Sequence, residues 1–124
     1  MATVLTTVGK AYIVDKLDST VTTKLEYIGW GTGAGTADVA DTTLFVEDSG
    51  GSPAYARVQG TITQPATDKM RCVGTLTANA GKTITNAGSF TALTSGTLGV
   101  KGDFTGIVLA TNDKIEFTID IQIT

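Results

Sequence analysis

Glycine occupies every second position at the start of IGWGTGAGTADVADTTL, residues 28–44. Gly29, Gly31 and Ala34 match G-x-G-x-x-A, a loose form of the dinucleotide-binding fingerprint. That chemistry needs a buried parallel strand before the glycines and a helix after them, whose N-terminus faces the pyrophosphate. The preceding KLEYIGW is half polar, and no amphipathic helical pattern follows. We therefore interpret the glycines as a turn that lets backbone segments approach closely, with no phosphate bound.

A second stretch ends like a phosphate-binding P-loop, with Gly81, Lys82 and Thr83 in succession. The first glycine of that motif would fall at position 76, which is Leu76. A turn between two strands explains these residues better. We expect no nucleotide and no other cofactor at either stretch.

Four carboxylates lie close together and raise the question of a calcium site. Their spacing does not match the twelve-residue calcium loop with its central glycine and terminal glutamate. The chain has no histidine and one cysteine, which argues against a zinc site. We predict a solvated acidic loop and no metal site. The four residues are Asp38, Asp41, Glu47 and Asp48.

The same lack of histidine leaves serine and threonine hydroxyls without their commonest activating base. Cys72 alternates with Met70 and Leu76 on an apolar face, so we expect a buried, unreactive thiol. Carboxylate pairs for glycoside chemistry stay open, although few aromatic residues are available to stack on a sugar. We predict no catalytic residues and no enzymatic activity.

Composition and charge argue against two classes of binding partner. The net charge of −3 argues against a nucleic-acid groove. No apolar run approaches the roughly 20 residues that span a bilayer, and no signal-peptide pattern is visible. We expect neither nucleic acid nor membrane as a partner.

The elements that would position these residues look like strands, because the chain is rich in threonine and glycine. In KIEFTIDIQIT, residues 114–124, five apolar residues alternate with polar ones, which predicts a strand with one buried face. The turn TND, residues 111–113, precedes it. Further strands are predicted in AYIVDKL (11–17), KLEYIGW (24–30), YARVQGTIT (55–63), KMRCVGTLTA (69–78), KTITNAGSF (82–90) and FTGIVLA (104–110).

This spacing predicts an all-β fold, a single-domain antiparallel β-sandwich over residues 1–124 that is jelly-roll-like. Residues 36–48 are interpreted as a loop or a single short turn, and DSGGSP (48–53) as a flexible surface turn. Trp30, inside the glycine run, either closes one end of the sandwich or anchors a partner subunit.

Three stretches in this order resemble a family of small tailed-bacteriophage structural proteins: residues 27–44, residues 82–109 and residues 112–124. The shared features are a glycine loop closed by A-D-T-x-L, a TNAG turn, a GTL turn and a terminal strand. KAYIVDKL also fits the family's opening strand, whereas Ser89 departs from a position that is more often bulky and apolar.

The resemblance implies a non-enzymatic virion protein, above all a capsid decoration (cement) protein that binds the major capsid protein shell and stabilises the head. It would assemble in the host cytoplasm and reside on the capsid surface as a homo-oligomer, a trimer or a dimer. The alternative is a tail, neck or fibre domain that binds a host glycan or another tail component, with Tyr27, Trp30 and Tyr55 as exposed anchors. Under either function the protein partner would be the major capsid protein or another virion protein.

Binding residues are expected on loops more often than on strands. We therefore predict partner contacts in the glycine loop and its acidic continuation, at Trp30, Thr32, Asp38, Asp41 and Phe45.

Overall fold

A computed structural model describes residues 2–48 and 57–124, and within these ranges the chain forms eight β-strands and one α-helix. In chain order they are β1 (Thr3–Leu5), α1 (Thr7–Leu17), β2 (Tyr27–Gly31), β3 (Val58–Gln59), β4 (Thr61–Ala66), β5 (Lys69–Thr77), β6 (Lys82–Phe90), β7 (Leu98–Leu109) and β8 (Lys114–Gln122). Tyr55 and the turn predicted at 48–53, apart from Asp48, lie outside the described residues.

The strands form two antiparallel sheets. The large sheet has the order β1-β7-β6-β2-β3, and the small sheet has the order β4-β5-β8. Residues of both sheets meet in one apolar cluster, where Ile28, Trp30 and Ile84 of the large sheet join Cys72 and Leu76 of the small one. The all-β sandwich is confirmed, and the jelly-roll connection pattern stays a prediction.

Strict alternation identifies β8 correctly. Ile115, Phe117 and Ile119 pack against the core, while the polar residues between them are exposed. The fifth apolar residue of the predicted face is an exception. Ile123 lies beyond the end of the strand and is 64% exposed, so the prediction that it joins the buried face was wrong.

The strand predicted at residues 11–17 was also wrong, because these residues belong to α1. The helix begins after Thr6, whose hydroxyl accepts a hydrogen bond from the Gly9 amide (2.9 Å) and donates one to the Leu98 carbonyl of β7 (2.6 Å). Gly9 and Tyr12 are buried, and Gly9 lies against the backbone of Gly99 in β7. A short apolar run does not distinguish a strand from a buried helical segment. Here the N-cap formed by the Thr6 hydroxyl favours the helix.

The glycine stretch starts inside a strand instead of a turn, since Gly29 and Gly31 lie in β2. Their neighbours Ile28 and Trp30 face the small sheet, so both glycines face the opposite side of the large sheet. A Cβ on Gly31 would collide with the Phe45 carbonyl oxygen. Close approach of another segment therefore explains glycine here. The approaching segment contains residues 36–48, which form the predicted loop with short turns and no helix.

Candidate functional site

The segment from residue 32 to residue 48, hereafter the 32–48 loop, crosses the face of the large sheet that points away from the small sheet. It passes over Gly29, Gly31 and Gly88, where a Cβ would meet Glu47, Phe45 and Leu44 respectively. Leu44 packs there against Phe90 and Leu98 in a second apolar cluster. Because glycine has no side chain, these strand positions leave a shallow depression in the surface of the sheet, and the loop lies in it.

Asn86, in the middle of β6, fixes the centre of the loop. Its side-chain oxygen accepts a hydrogen bond from the Phe45 amide, and its side-chain nitrogen donates to the Phe45 carbonyl, each at 3.0 Å. Asn86 is fully buried. Its amide thus pairs with the loop backbone as a neighbouring strand would.

Lys101 of β7 is the most deeply buried charge of this face, with 0% exposure. Its ammonium group donates to the Asp41 carboxylate and to the Thr43 carbonyl, each at 2.8 Å, and lies 3.2 Å from the centre of the Phe45 ring. The bond from Lys101 lowers the pKa of Asp41 below its usual value, as does the nearby Asp38 backbone. The loop therefore supplies the counter-charge that a buried ammonium group requires.

Asp103 lies two residues further along β7 and binds the start of the loop. Its carboxylate accepts hydrogen bonds from the Ala37 amide (2.7 Å) and the Ala2 amide (3.2 Å). The Ala37 N–H is the main cause of a lowered pKa at Asp103, because these bonds favour the charged form.

Arg57 binds the other end of the loop. Its guanidinium group forms a bidentate pair with Glu47, at 2.7 and 3.0 Å, and lies over the Phe90 ring at 3.4 Å. It also donates to the carbonyls of Ala92 and Ser95. The planar fork of arginine suits such paired contacts. The loop is consequently fixed at its beginning, centre and end.

A strained residue sits at the exposed side of the loop. Val46 has φ +50°, in the left-handed region that a β-branched residue rarely adopts, and the residue is 68% exposed. Its carbonyl accepts from the Thr32 amide at 3.0 Å. Such strain persists only where surrounding contacts enforce it, and it concentrates at functional sites.

The predicted contact residues fall into three groups, which are exposed, half-buried and fully buried. Thr32 and Asp38 are exposed on the loop, whereas Asp41 and Phe45 are half-buried and engaged with Lys101. The exposure expected of Trp30 was wrong: it is 1% exposed and packs edge-to-face on Phe117 of β8 at 6.5 Å. The ring alternates with Gly29 and Gly31, and that alternation points it into the core. Tyr27 is half-buried.

The loop-binding residues Asn86, Lys101 and Asp103 were missed by the sequence reasoning. In a strand sequence, polar residues at alternate positions indicate a solvent-facing side. The sequence contains a signal for Lys101 alone: a lysine inside a strand requires a counter-charge, and the acidic segment 38–48 can supply one.

A separate apolar groove of about 870 Å³ lies between α1 and the small sheet. It was also missed, because residues 11–17 were interpreted as a strand. Its apolar lining comes from both sides of the gap: Tyr12, Leu17, Leu25, Ile62, Met70 and Ile121.

Within residues 2–48 and 57–124 no three His, Cys, Asp or Glu side chains cluster in a way that could hold a metal ion. The described part of the chain also contains no helix long and apolar enough to cross a membrane. A comparison with protein-family models and with curated proteins found no match to this chain.

Proposed function

We propose that this protein is a structural component of a tailed-bacteriophage virion, a capsid decoration protein that binds the major capsid protein shell and stabilises the head. The resemblance of residues 27–44, 82–109 and 112–124 supports this proposal. The observation that carries it is the 32–48 loop, a long irregular segment fixed to a sheet by buried Asn86, Lys101 and Asp103. Irregular segments of this length in compact domains usually serve a function.

A fixed loop suits binding to a shell for an energetic reason. A segment that is already ordered loses little conformational entropy when it meets a partner, so more of the contact energy appears as affinity. A shell also presents many equivalent positions, and an oligomer that contacts several of them gains avidity. Modest contacts from each loop are then sufficient to stabilise the head.

The residues that would contact the shell are those exposed on the loop. Asp41 and Phe45 would not contact the shell themselves. They hold the loop in place through their contacts with Lys101. The exposed group includes two predicted residues and two valines that the sequence reasoning did not single out: Thr32, Asp38, Val39 and Val46.

Co-sedimentation with purified expanded heads that lack this protein tests the proposal. We expect the wild-type chain to sediment with the heads and Thr32→Lys to bind at least about tenfold more weakly, because the new charge must be desolvated in the contact. Thr111→Lys, the same change at an exposed turn between β7 and β8, is the matched control and should bind like wild type. Heads that bind neither protein, or that bind Thr32→Lys and wild type equally, would contradict the proposal.

The tail, neck or fibre alternative relied on exposed aromatic rings. Burial of Trp30 removes one of its three anchors, and a second, Tyr27, is half-buried. We therefore propose the decoration function alone.

A further inference from the structure

We infer that two copies of this chain pair edge to edge through β8, in antiparallel register about a two-fold axis at Phe117. In the small sheet β8 has β5 on one side, and in the described ranges 2–48 and 57–124 no strand pairs with its other side. Nine residues of β8 pair with β5 without a bulge, and none of them is proline or glycine. A long, regular, unpaired edge is a template for another strand.

The opposite edge of the small sheet is protected. Pro65 interrupts β4 with a residue that has no amide hydrogen, and the pairing of β4 with β5 shifts register between Thr63 and Ala66. Proline and bulges are the usual devices that prevent edge pairing. β8 carries neither device, so the two edges differ in their capacity to accept a partner.

The backbone direction shows which groups of β8 are available. Just beyond β8, the Ile123 amide donates to the Asp68 carbonyl (2.9 Å), and just before it, the Asp113 carbonyl accepts from the Ala78 amide (2.8 Å). Odd-numbered residues therefore direct their amide and carbonyl groups toward β5. Since these directions alternate along a strand, even-numbered residues such as Glu116, Thr118 and Asp120 direct theirs toward the open edge.

Side-chain charge selects the register. With the axis at Phe117, Lys114 lies opposite Asp120 of the second copy, twice in the dimer, and Glu116 lies opposite Thr118. With the axis at Thr118, Glu116 would lie opposite Asp120, and with the axis at Glu116, two glutamates would face each other. Like charges directly opposite each other destabilise a pair of strands, whereas opposite charges stabilise it.

The register centred on Phe117 also places compatible side chains opposite each other on both faces of β8. It forms about eight backbone hydrogen bonds, two for each of four hydrogen-bonded pairs. On the inner face, Phe117 meets its symmetry mate and Ile115 meets Ile119, three side chains that are only half-buried in the single chain. A crevice of about 180 Å³ between the sheets, lined by Phe104 and Phe117 among others, lies along the same side. On the outer face, Arg71 already fixes Asp120 through two bonds of 2.8 and 3.0 Å.

Sedimentation equilibrium over a range of concentrations, on the isolated full chain, tests the edge. We expect wild type to be in reversible monomer–dimer equilibrium and Thr118→Pro to remain monomeric. Proline at 118 removes an amide that points to the open edge and leaves the ladder with β5 intact. Thr118→Val keeps that amide and should dimerise. Equal far-ultraviolet circular dichroism of the variants establishes that both fold. A monomeric wild type, or a Thr118→Pro chain that still dimerises, would overturn the inference.

Mixing two charge variants tests the register. Lys114→Asp alone places two aspartates opposite each other, and Asp120→Lys alone places two lysines opposite each other, so each variant should dimerise at least about tenfold more weakly than wild type. A mixture of the two restores an opposite pair at both positions and should form heterodimers. Failure of the mixture to associate beyond either variant alone would exclude this register. Since no heads are used, the result is independent of the proposed function.

Discussion

Lys101 and Asp41 form an ion pair that connects a strand to a loop, with the lysine buried and the aspartate 24% exposed. Asp41→Asn removes the carboxylate and leaves the ammonium group buried beside a neutral amide. We expect a loss of about 2–4 kcal/mol in the free energy of unfolding at pH 7, somewhat less than for a fully buried pair because water reaches Asp41. Urea unfolding followed by the fluorescence of Trp30, the single tryptophan, measures this loss.

The same pair predicts a pH dependence. Because the pKa of Asp41 is lower in the folded chain than its usual 3.8, its stabilisation is complete above 3.8 and is lost as the pH falls through the folded pKa. Asp103, whose pKa is also lowered, acts in the same direction. We expect the free energy of unfolding to fall as the pH drops below about 4 and through the lowered pKa values, and to fall less in Asp41→Asn. Asp15→Asn, on α1, is the control that should follow wild type; an unchanged pH profile in Asp41→Asn would refute this account.

The helix α1 depends on a close approach between two glycines. A Cβ on Gly9 would lie 2.6 Å from the Gly99 carbonyl oxygen and 2.8 Å from its Cα, both in the backbone of β7. Alanine favours a helix over glycine by about 1 kcal/mol, but strand backbone cannot rotate away as a side chain can. We expect the clash to exceed the propensity gain, so that Gly9→Ala lowers the free energy of unfolding by about 1–2 kcal/mol.

Lys10→Ala is the matched control for this prediction. It adds helix propensity on the exposed side of α1, where no contact with β7 is lost, and should leave stability within about 0.5 kcal/mol of wild type. Thermal and urea unfolding of the three proteins distinguish the two effects. A Gly9→Ala variant as stable as Lys10→Ala would show that α1 can move away from β7 at little cost.

Sequence patterns predict the strands of this fold to different extents. β5 and β8 are predicted because each has one buried face, which produces strict alternation. The helix α1 is not predicted by its sequence pattern, since only Gly9 and Tyr12 are buried while the apolar Val14 and Leu17 are exposed. The residues that fix the 32–48 loop escape prediction for another reason: the burial of Lys101 depends on a loop sixty positions earlier in the chain, and a local pattern contains no information about that contact.

Across the whole sandwich, the thiol of Cys72 reports whether the two sheets separate. It is fully buried in the cluster that both sheets share, and burial, with a smaller contribution from Glu26, raises its pKa to about 11. A disulfide-exchange reagent must reach the thiol and reacts with its thiolate form. Both the burial of Cys72 and its raised pKa should therefore protect the folded chain from labelling at pH 8. We expect labelling to require opening of the core, with a rate that rises with urea in parallel with the unfolding measured by Trp30 fluorescence.

Thr75→Cys in a Cys72→Ala background is the control: it places a thiol on the exposed face of the same strand and should react at once. Rapid labelling of Cys72 that is independent of urea would mean that the small sheet separates locally from the large one, and that the two sheets do not unfold as one cooperative unit.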